Sequence, residues 1–446
     1  MNAPVNTNAS VNANATSNPK ADVLIIGAGI AGLQASLDLA DQNRQVILVE
    51  RNPSIGGRMI NLSKVYPTLD CASCITTPRM ASASHHPNIN ALTYSEVKNV
   101  EKHGTGFRVT VVKKPRYIDE DKCIGCKRCE EACPVFVKDE FEHNFGAKKA
   151  ISIPFTNAIP QLPVLDINNC TLCGACANAC PTDCINYTQQ PVETVYEVGA
   201  ILVSTGYQLT PANAKPQYGG DKFTNVLTAL QGERLLAPHG PFGRVLRPSD
   251  GKIPDNIAFI QCAGSRDQSI GLPYCSRVCC MYAIKQAMLL SGSLPTADIT
   301  IYYMDIRAFG KGYEQFYQNA KAMGIHFVKA KVARIKETED KNLMLRIERQ
   351  EDQSQPEEVQ HDMVVLSLGL KPDWNPEAIN LNVHTEYDGF VKSPKAPLQP
   401  NITTMEGIFA AGAATGPKDI VDTIGEACAG AMEIENHLRR MEWRLS

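Results

Sequence analysis

The sequence predicts an α/β fold built on parallel sheets and interrupted by a small, cysteine-rich α+β module. Three observations predict it. A buried strand, a glycine turn, a helix and a second strand follow one another over residues 22–50. A four-cysteine run at 123–134 recurs with the same spacing at 170–181. A second buried strand at 257–261 opens another α/β stretch.

At 446 residues the chain is long enough for several domains and for cores without cross-links. A net charge of −3 leaves no electrostatic footprint for nucleic acid. No apolar run approaches the roughly 20 residues of a membrane helix. Residues 1–19 are rich in Asn, Ala, Thr and Val, without a basic start or an apolar stretch. They read as a flexible tail rather than an export signal, so a cytoplasmic protein is expected. Sixteen cysteines are many for such a chain. In a reducing compartment, cysteines at short spacing point to metal rather than to a disulfide scaffold.

The first unit runs from the strand Asp22–Ile26 through Gly27-Ala28-Gly29-Ile30-Ala31-Gly32 into a helix reaching about Asp41. A strand from Gln45 to Val49 then ends at Glu50. Gly27 permits the tight turn, Gly29 lets backbone approach a pyrophosphate, and Gly32 lets helix and strand pack closely. Phosphates would sit on free N–H groups at the positive helix end. Glu50, 18 residues past Gly32, is placed to bind a ribose hydroxyl. A glycine turn alone can be merely structural; strand, helix and acid falling into place together favour a dinucleotide.

Arg51 and Ile55-Gly56-Gly57-Arg58 follow. This run resembles the GG motif of the two-dinucleotide-binding-domain flavoproteins, whose fold is of thioredoxin-reductase type. Val203-Ser204-Thr205-Gly206 resembles that group's strand-ending motif, and Gly407 to Gly412 its strand beside the flavin ribityl chain. The resemblance implies FAD. Its contacts would be Gly27, Gly29, Ile30, Ala31, Gly32, Glu50, Arg51, Gly57, Arg58, Val97, Thr205, Gly206, Gly412 and Ala413. Ala413 stands where the family has Asp, so the ribityl contact is either lost or made by backbone.

Between these segments lie Cys123-x2-Cys126-x2-Cys129-x3-Cys133-Pro134 and Cys170-x2-Cys173-x2-Cys176-x3-Cys180-Pro181. This is the bacterial two-cluster ferredoxin pattern, in which the fourth cysteine of each run serves the other cluster. Cys123, Cys126, Cys129 and Cys180 are therefore assigned to one [4Fe–4S] cluster. Cys133, Cys170, Cys173 and Cys176 are assigned to the second. Zinc, which takes cysteine pairs across a longer spacer, and inert buried thiols are the alternatives. Residues 135–169 exceed a minimal ferredoxin and leave room for a hairpin or docking surface. Cys184 reads as a core thiol.

A pyridine-nucleotide domain would follow the strand 257–261 with a second glycine fingerprint. Here Cys262-Ala263-Gly264-Ser265-Arg266 follows instead, which disfavours NAD(P)H as direct reductant. Cys275, Cys279 and Cys280 lie at the start of a helical pattern over 278–290. With Cys262 they can hold a third cluster, form a redox thiol site, or simply pack. The runs Cys262–Asp267 and Tyr274–Lys285 resemble the A subunit of heterodisulfide reductase, as do Tyr66–Cys74 and Pro115-Arg116-Tyr117. The likeness covers nearly all of residues 20–435. It implies a third [4Fe–4S] cluster on the four central cysteines and places Lys285 near flavin N5, where an ammonium raises a two-electron potential. Asp419–Thr423, opening a helix at 419–438, would face the flavin's pyrimidine edge. Cys71 and Cys74 remain open as redox dithiol, cluster edge or packing. His85-His86 reads as surface, Cys428 as packing against the FAD domain, and Glu348–Gln360 as a solvated hairpin.

The organisation expected is a tail at 1–19 and an FAD domain in three pieces, 20–114, 191–210 and 371–446. A ferredoxin insert occupies 115–190, a linker 211–250, and a thioredoxin-reductase-like central domain 251–370. The resemblance implies an electron-relay oxidoreductase subunit that works with heterodisulfide reductase B- and C-like subunits, as a homodimer within a larger complex. Archaeal members carry further terminal cluster domains, and the shorter chain here tilts the expectation toward sulfur oxidation over methanogen-type heterodisulfide reduction. The rivals are a stand-alone NAD(P)H- or ferredoxin-linked flavoprotein and a scaffold whose clusters only stabilise the fold.

Overall fold

The computed structural model describes residues 18–350 and 355–445. The expected N-terminal tail lies, up to residue 17, outside the described residues.

The first sheet grows from β1 (Lys20–Ile26), whose Val23, Leu24 and Ile25 are wholly buried, and β2 (Val46–Glu50), buried at all five positions. Such continuous burial belongs to parallel strands covered on both faces. Helix α1 (Ile30–Ala40) lies between them in sequence. After α2 (Ala72–His85) come β3 (Ile89–Thr93), β4 (Ser95–His103) and β5 (Gly106–Lys113).

The chain then leaves the sheet for the cysteine-rich module. It consists of α3 (Arg128–Ala132), β6 (Phe136–Lys138), β7 (Ala147–Lys149), β8 (Ile151–Ser152), β9 (Val164–Leu165) and α4 (Ala175–Ala179). It returns as β10 (Val192–Val203), antiparallel to β5, with Val192 opposite Lys113. The sheet order is β3-β2-β1-β10-β5-β4, and the end of β10 also takes β20 (Ile408–Ala410) as a parallel neighbour. Helix α8 (Ile420–Leu445) packs on α1, and Arg44 just after α1 meets Glu435 of α8 at 2.7 Å.

A two-stranded ribbon, β11 (Tyr207–Leu209) with β19 (Leu370–Pro372), joins this unit to the second. There, β12 (Val226–Thr228), β13 (Asn256–Ile260), β14 (Asp298–Tyr303), β15 (His326–Glu337), β16 (Leu343–Arg349), β17 (Glu357–His361) and β18 (Met363–Leu366) form one sheet. Its order is β12-β18-β13-β14-β15-β16-β17, with helices α5 (Ala229–Leu236), α6 (Cys279–Ser293) and α7 (Tyr313–Ala322) between strands in sequence. The two-unit α/β architecture predicted from sequence is thus present.

The expected linker 211–250 is different from its reading. It holds β12 and α5, both part of the second unit. Strand β12 is only three residues long and finds its partner, β18, far down the chain. Its Pro- and Gly-rich surroundings conceal it. The polar stretch Glu348–Gln360 spans the pairing of β16 with β17, and residues 351–354 between them lie outside the described residues.

Candidate functional site

A cavity of about 1310 Å³ is walled by the glycine turn, the second unit and the inserted module. Twelve of the fourteen residues expected at the dinucleotide line it: Gly27, Gly29, Ile30, Ala31, Glu50, Arg51, Gly57, Arg58, Val97, Thr205, Gly206 and Ala413. The other two support it from behind. A Cβ at Gly32 would lie 1.9 Å from the Gly27 carbonyl oxygen, so only glycine allows this crossing of helix and turn. Gly412 has φ +71°, and its N–H donates to Glu426 Oε2 at 2.6 Å. Backbone at Gly412 is therefore engaged by a carboxylate that sequence reading missed. Glu426 also meets Lys418 Nζ at 2.5 Å and accepts from Thr415 Oγ1.

Glu50 is buried and accepts the N–H groups of Ala28 and Asn52, each at 2.9 Å. Burial pushes its carboxyl up, against the pull of those N–H groups and of Arg51. Arg51 itself is ion-paired with Asp373, which shares the cavity wall.

The residues fit a dinucleotide on two grounds. Gly29 and Gly57 face each other so closely that a Cβ on Gly57 would lie 2.6 Å from the Gly29 Cα, leaving bare backbone where phosphates approach. Four buried polar atoms on the wall also have no protein partner: Thr205 Oγ1, His143 Nε2, Gln286 Oε1 and Trp374 Nε1. A polar ligand would satisfy them.

The wall from the second unit carries the titratable centre. Lys285 is buried, ion-paired with Glu233 and donating to the Lys64 carbonyl oxygen at 2.9 Å. Glu233 further accepts from the Ser63 N–H at 3.0 Å, from Ser63 Oγ at 2.8 Å and from Gln286 Nε2 at 2.5 Å. Burial lowers the lysine's proton affinity, and Glu233 opposes that. Tyr66, Tyr282 and Tyr313 stand on the same wall, with Tyr66 and Tyr313 edge to face at 5.6 Å. Asp419 and Thr423, expected at the cofactor, line the cavity too.

Cys279 and Cys280 open the same helix, α6, that presents Tyr282, Lys285 and Gln286 to the cavity. Cys262 sits two residues beyond β13 in a left-handed conformation, φ +55°. The four central thiols are near neighbours: Cys262 and Cys275 both raise the proton affinity of Cys279 and of Cys280, although burial is the larger cause. Cys280 is pushed up to about 11. Thiols held neutral by burial ionise when a cationic metal joins them, which suits a ligand set.

In the insert, α3 and α4 pack against each other and begin alike, after the left-handed residues Lys127 (φ +63°) and Gly174 (φ +77°). The duplicated spacing thus folds as a structural duplication. Cys129, Cys133 and Cys176 are buried, while Cys126 and Cys173 are exposed. Among the described residues, no three His, Cys, Asp or Glu side chains converge as a single ion would require. A cubane takes each thiolate on a separate iron and needs no such convergence. Cys184 is a core thiol, 3.4 Å from Cys180 Sγ.

The insert also forms a wall of the cavity, which the sequence did not reveal. Phe141 and Phe155 stack at 4.6 Å and line it with His143. Arg234 of α5 grips Glu142 with two hydrogen bonds of 2.9 Å, donates to the Asn61 carbonyl oxygen at 3.2 Å, and lies over the Phe141 ring. Outside the cavity, Cys71 and Cys74 are disulfide-bonded. Cys428, expected to pack against the FAD domain, is exposed on α8 and hydrogen-bonds Asp38 of α1 there. His85 is exposed, and His86 lies 3.3 Å from Asp41.

Fold and site together define a two-dinucleotide-binding, flavoprotein-type α/β frame with an inserted ferredoxin-like module. The FAD dependent oxidoreductase family model matches residues 22–70, and the 4Fe-4S dicluster domain model matches residues 122–184. The chain is a relative of the heterodisulfide reductase A subunits. It is 46% identical over 430 residues to the CoB–CoM heterodisulfide reductase iron-sulfur A subunit of Methanocaldococcus jannaschii, covering 95% of this chain and 65% of that one. It is 44% identical to the H(2):CoB-CoM heterodisulfide,ferredoxin reductase A subunit of Methanothermobacter marburgensis (92% and 62% covered). With the Methanosarcina mazei ferredoxin:CoB-CoM heterodisulfide reductase A subunit it shares 43% (93% and 53% covered). The chain thus spans just over half to about two thirds of these relatives' length. Among solved structures it resembles the thioredoxin reductases of T. acidophilum and Lactococcus lactis. Each superposes with a TM-score of 0.52 at 15% and 16% identity, covering 94% of this chain and 99% of the other. That likeness shows the fold. Among the described residues, no helix is long and apolar enough to cross a membrane.

Proposed function

We propose that the chain is the FAD- and iron–sulfur-carrying electron-transfer subunit of a heterodisulfide reductase-like complex. The observation that carries this is α6. One helix brings Cys279 and Cys280 to a candidate cluster and, within two turns, Tyr282 and Lys285 to the cavity. A bound FAD would exchange electrons in pairs or singly, so it can join a two-electron sulfur reaction to one-electron clusters.

The chain's own residues do the rest. The glycine turn and Gly57 present backbone to phosphates. The ammonium of Lys285, held by Glu233 and the Lys64 carbonyl, favours negative charge arriving beside it. The Phe141–Phe155 stack forms part of the cavity wall, and the Arg234–Glu142 pair ties the insert that carries it to α5. Two cluster assignments are those given by the spacing, Cys123, Cys126, Cys129 with Cys180 and Cys170, Cys173, Cys176 with Cys133; the third, on Cys262, Cys275, Cys279 and Cys280, is the one the resemblance implies. B- and C-like subunits are the partners, and the chain is a homodimer within the complex.

The relatives named above are methanogen proteins, and none supports the preference for sulfur oxidation. The reading kept is disulfide or sulfur-compound redox chemistry. Anaerobic reconstitution tests it. About 12 iron atoms and one FAD per chain are expected, with cluster signals in electron paramagnetic resonance appearing when the flavin is photoreduced. Rapid bleaching by NADPH alone would favour a stand-alone oxidoreductase instead.

A further inference from the structure

One cysteine pair enters none of the three ligand sets. We propose that Cys71 and Cys74 form a thiol–disulfide exchange site, open to low-molecular-weight thiols and their disulfides. The two residues are bonded, with Cα atoms 5.2 Å apart. Cys71 is the N-cap of the fourteen-residue helix α2, and its Sγ accepts the Cys74 N–H at 3.2 Å. No acidic side chain stands in that first turn, and although Asp70 precedes the cap, the positive helix end bears on Cys71. A thiolate is favoured at such a position. Cys74 is exposed, whereas Cys71 is half-buried.

These asymmetries give the two sulfurs different parts. An incoming thiolate attacks the accessible Cys74 Sγ. The Cys71–Cys74 bond breaks, and Cys71 leaves as the thiolate that the helix stabilises, the better leaving group of the two. A second thiolate then attacks the external sulfur of the mixed disulfide and releases Cys74. Two external thiols are oxidised to one disulfide while the pair takes two electrons and two protons. The reverse sequence reduces an external disulfide.

The pair also has a direct structural line to the cavity. Cys71 pairs by an isolated antiparallel bridge with Lys64, the residue whose carbonyl oxygen holds the Lys285 ammonium. Hydrogen bonds from Val65 to Asp70 and from Leu69 to Val65, both 2.9 Å, close the intervening loop, and Val65 and Tyr66 line the cavity. The inference stands apart from the proposed electron-transfer role, because it requires neither cluster nor flavin to turn over.

The test uses the full chain, anaerobically reconstituted with iron, sulfide and FAD. It is equilibrated with reduced and oxidised glutathione over a range of ratios, acid-quenched and alkylated, and the peptide bearing both cysteines is quantified by mass spectrometry. The bonded fraction should follow the ratio reversibly. Cys71→Ser should trap one glutathione on Cys74, and Cys74→Ser should trap far less on Cys71. The double variant C71S/C74S should keep the iron and flavin content of the parent. A pair that stays closed, or stays open, at every ratio would overturn the proposal. Loss of about four irons in the double variant would also overturn it, by making the pair cluster ligands.

Discussion

Glu233 and Arg234 are consecutive on α5, yet they are neutralised by two different parts of the chain. Glu233 meets Lys285 on α6, and Arg234 meets Glu142 in the inserted module. One eight-residue helix therefore joins the buried charge of the cavity wall to the insert that forms another part of that wall.

The Lys285–Glu233 pair is about 2% exposed on both sides. Removing one partner strands the other charge in a buried site. Glu233→Leu is expected to cost about 3–5 kcal/mol in urea unfolding. The double variant K285M/E233L should cost less than that single one, since it buries no orphan charge. Strictly additive losses would show that the two side chains do not act as a pair.

Arg234 and Glu142 make a bidentate contact across the boundary of the insert. Arg234→Glu places two carboxylates together and should destabilise the chain by a few kcal/mol. The swap R234E/E142R should recover part of the loss, with a coupling of about 0.5–3 kcal/mol in a double-mutant cycle. Thermal unfolding of the four variants measures it.

Two alanines separate packing from ligand approach. At Gly29 an added Cβ has only the Gly57 Cα nearby, at 3.8 Å, an ordinary contact. Gly29→Ala should fold and yet bind FAD weakly, because the methyl occupies the backbone surface meant for phosphate. Gly32→Ala should compromise the fold itself, given 1.9 Å to the Gly27 carbonyl oxygen. Circular dichroism and flavin content after purification distinguish the two.

His361 is buried between Tyr302 and Asn256, and burial pulls its pKa down to about 4 from 6.5. The folded chain therefore binds fewer protons at this site than the unfolded chain does between those values. Stability is full above pH 6.5 and is lost as pH falls toward 4, by at most roughly 3 kcal/mol. In His361→Gln the whole curve should drop, while its acid slope becomes shallower. An unchanged slope would assign the acid sensitivity elsewhere.

Local spacing made much of this molecule readable. The strand, glycine turn, helix and acid lie within about 30 residues, and each cysteine run within twelve, so residue type alone reports the geometry. Lys285 could be singled out through the family resemblance of the run Tyr274–Lys285. Its partner could not: Glu233 lies 52 residues upstream in a segment read as linker, and ordinary acidic side chains carry no sign of burial. The capping box of Thr228 and Gln231 was the one local signal that α5 begins there. Glu142, His143 and Phe155 were equally silent. They reach the cavity through the folding of an insert on which periodicity imposes no orientation.

The departure and return of the inserted module have a consequence for how such a chain arises. Lys113 and Val192 are opposite neighbours on adjoining strands, so 78 residues hang from what is topologically a hairpin tip. An ancestor could have acquired this redox cassette at a surface turn, with every strand pairing of the host sheet left in register. Exchange of the cassette for one with different potentials would then rewire the electron route, and only the wall it lends the cavity, not the glycine turn, would have to be rebuilt.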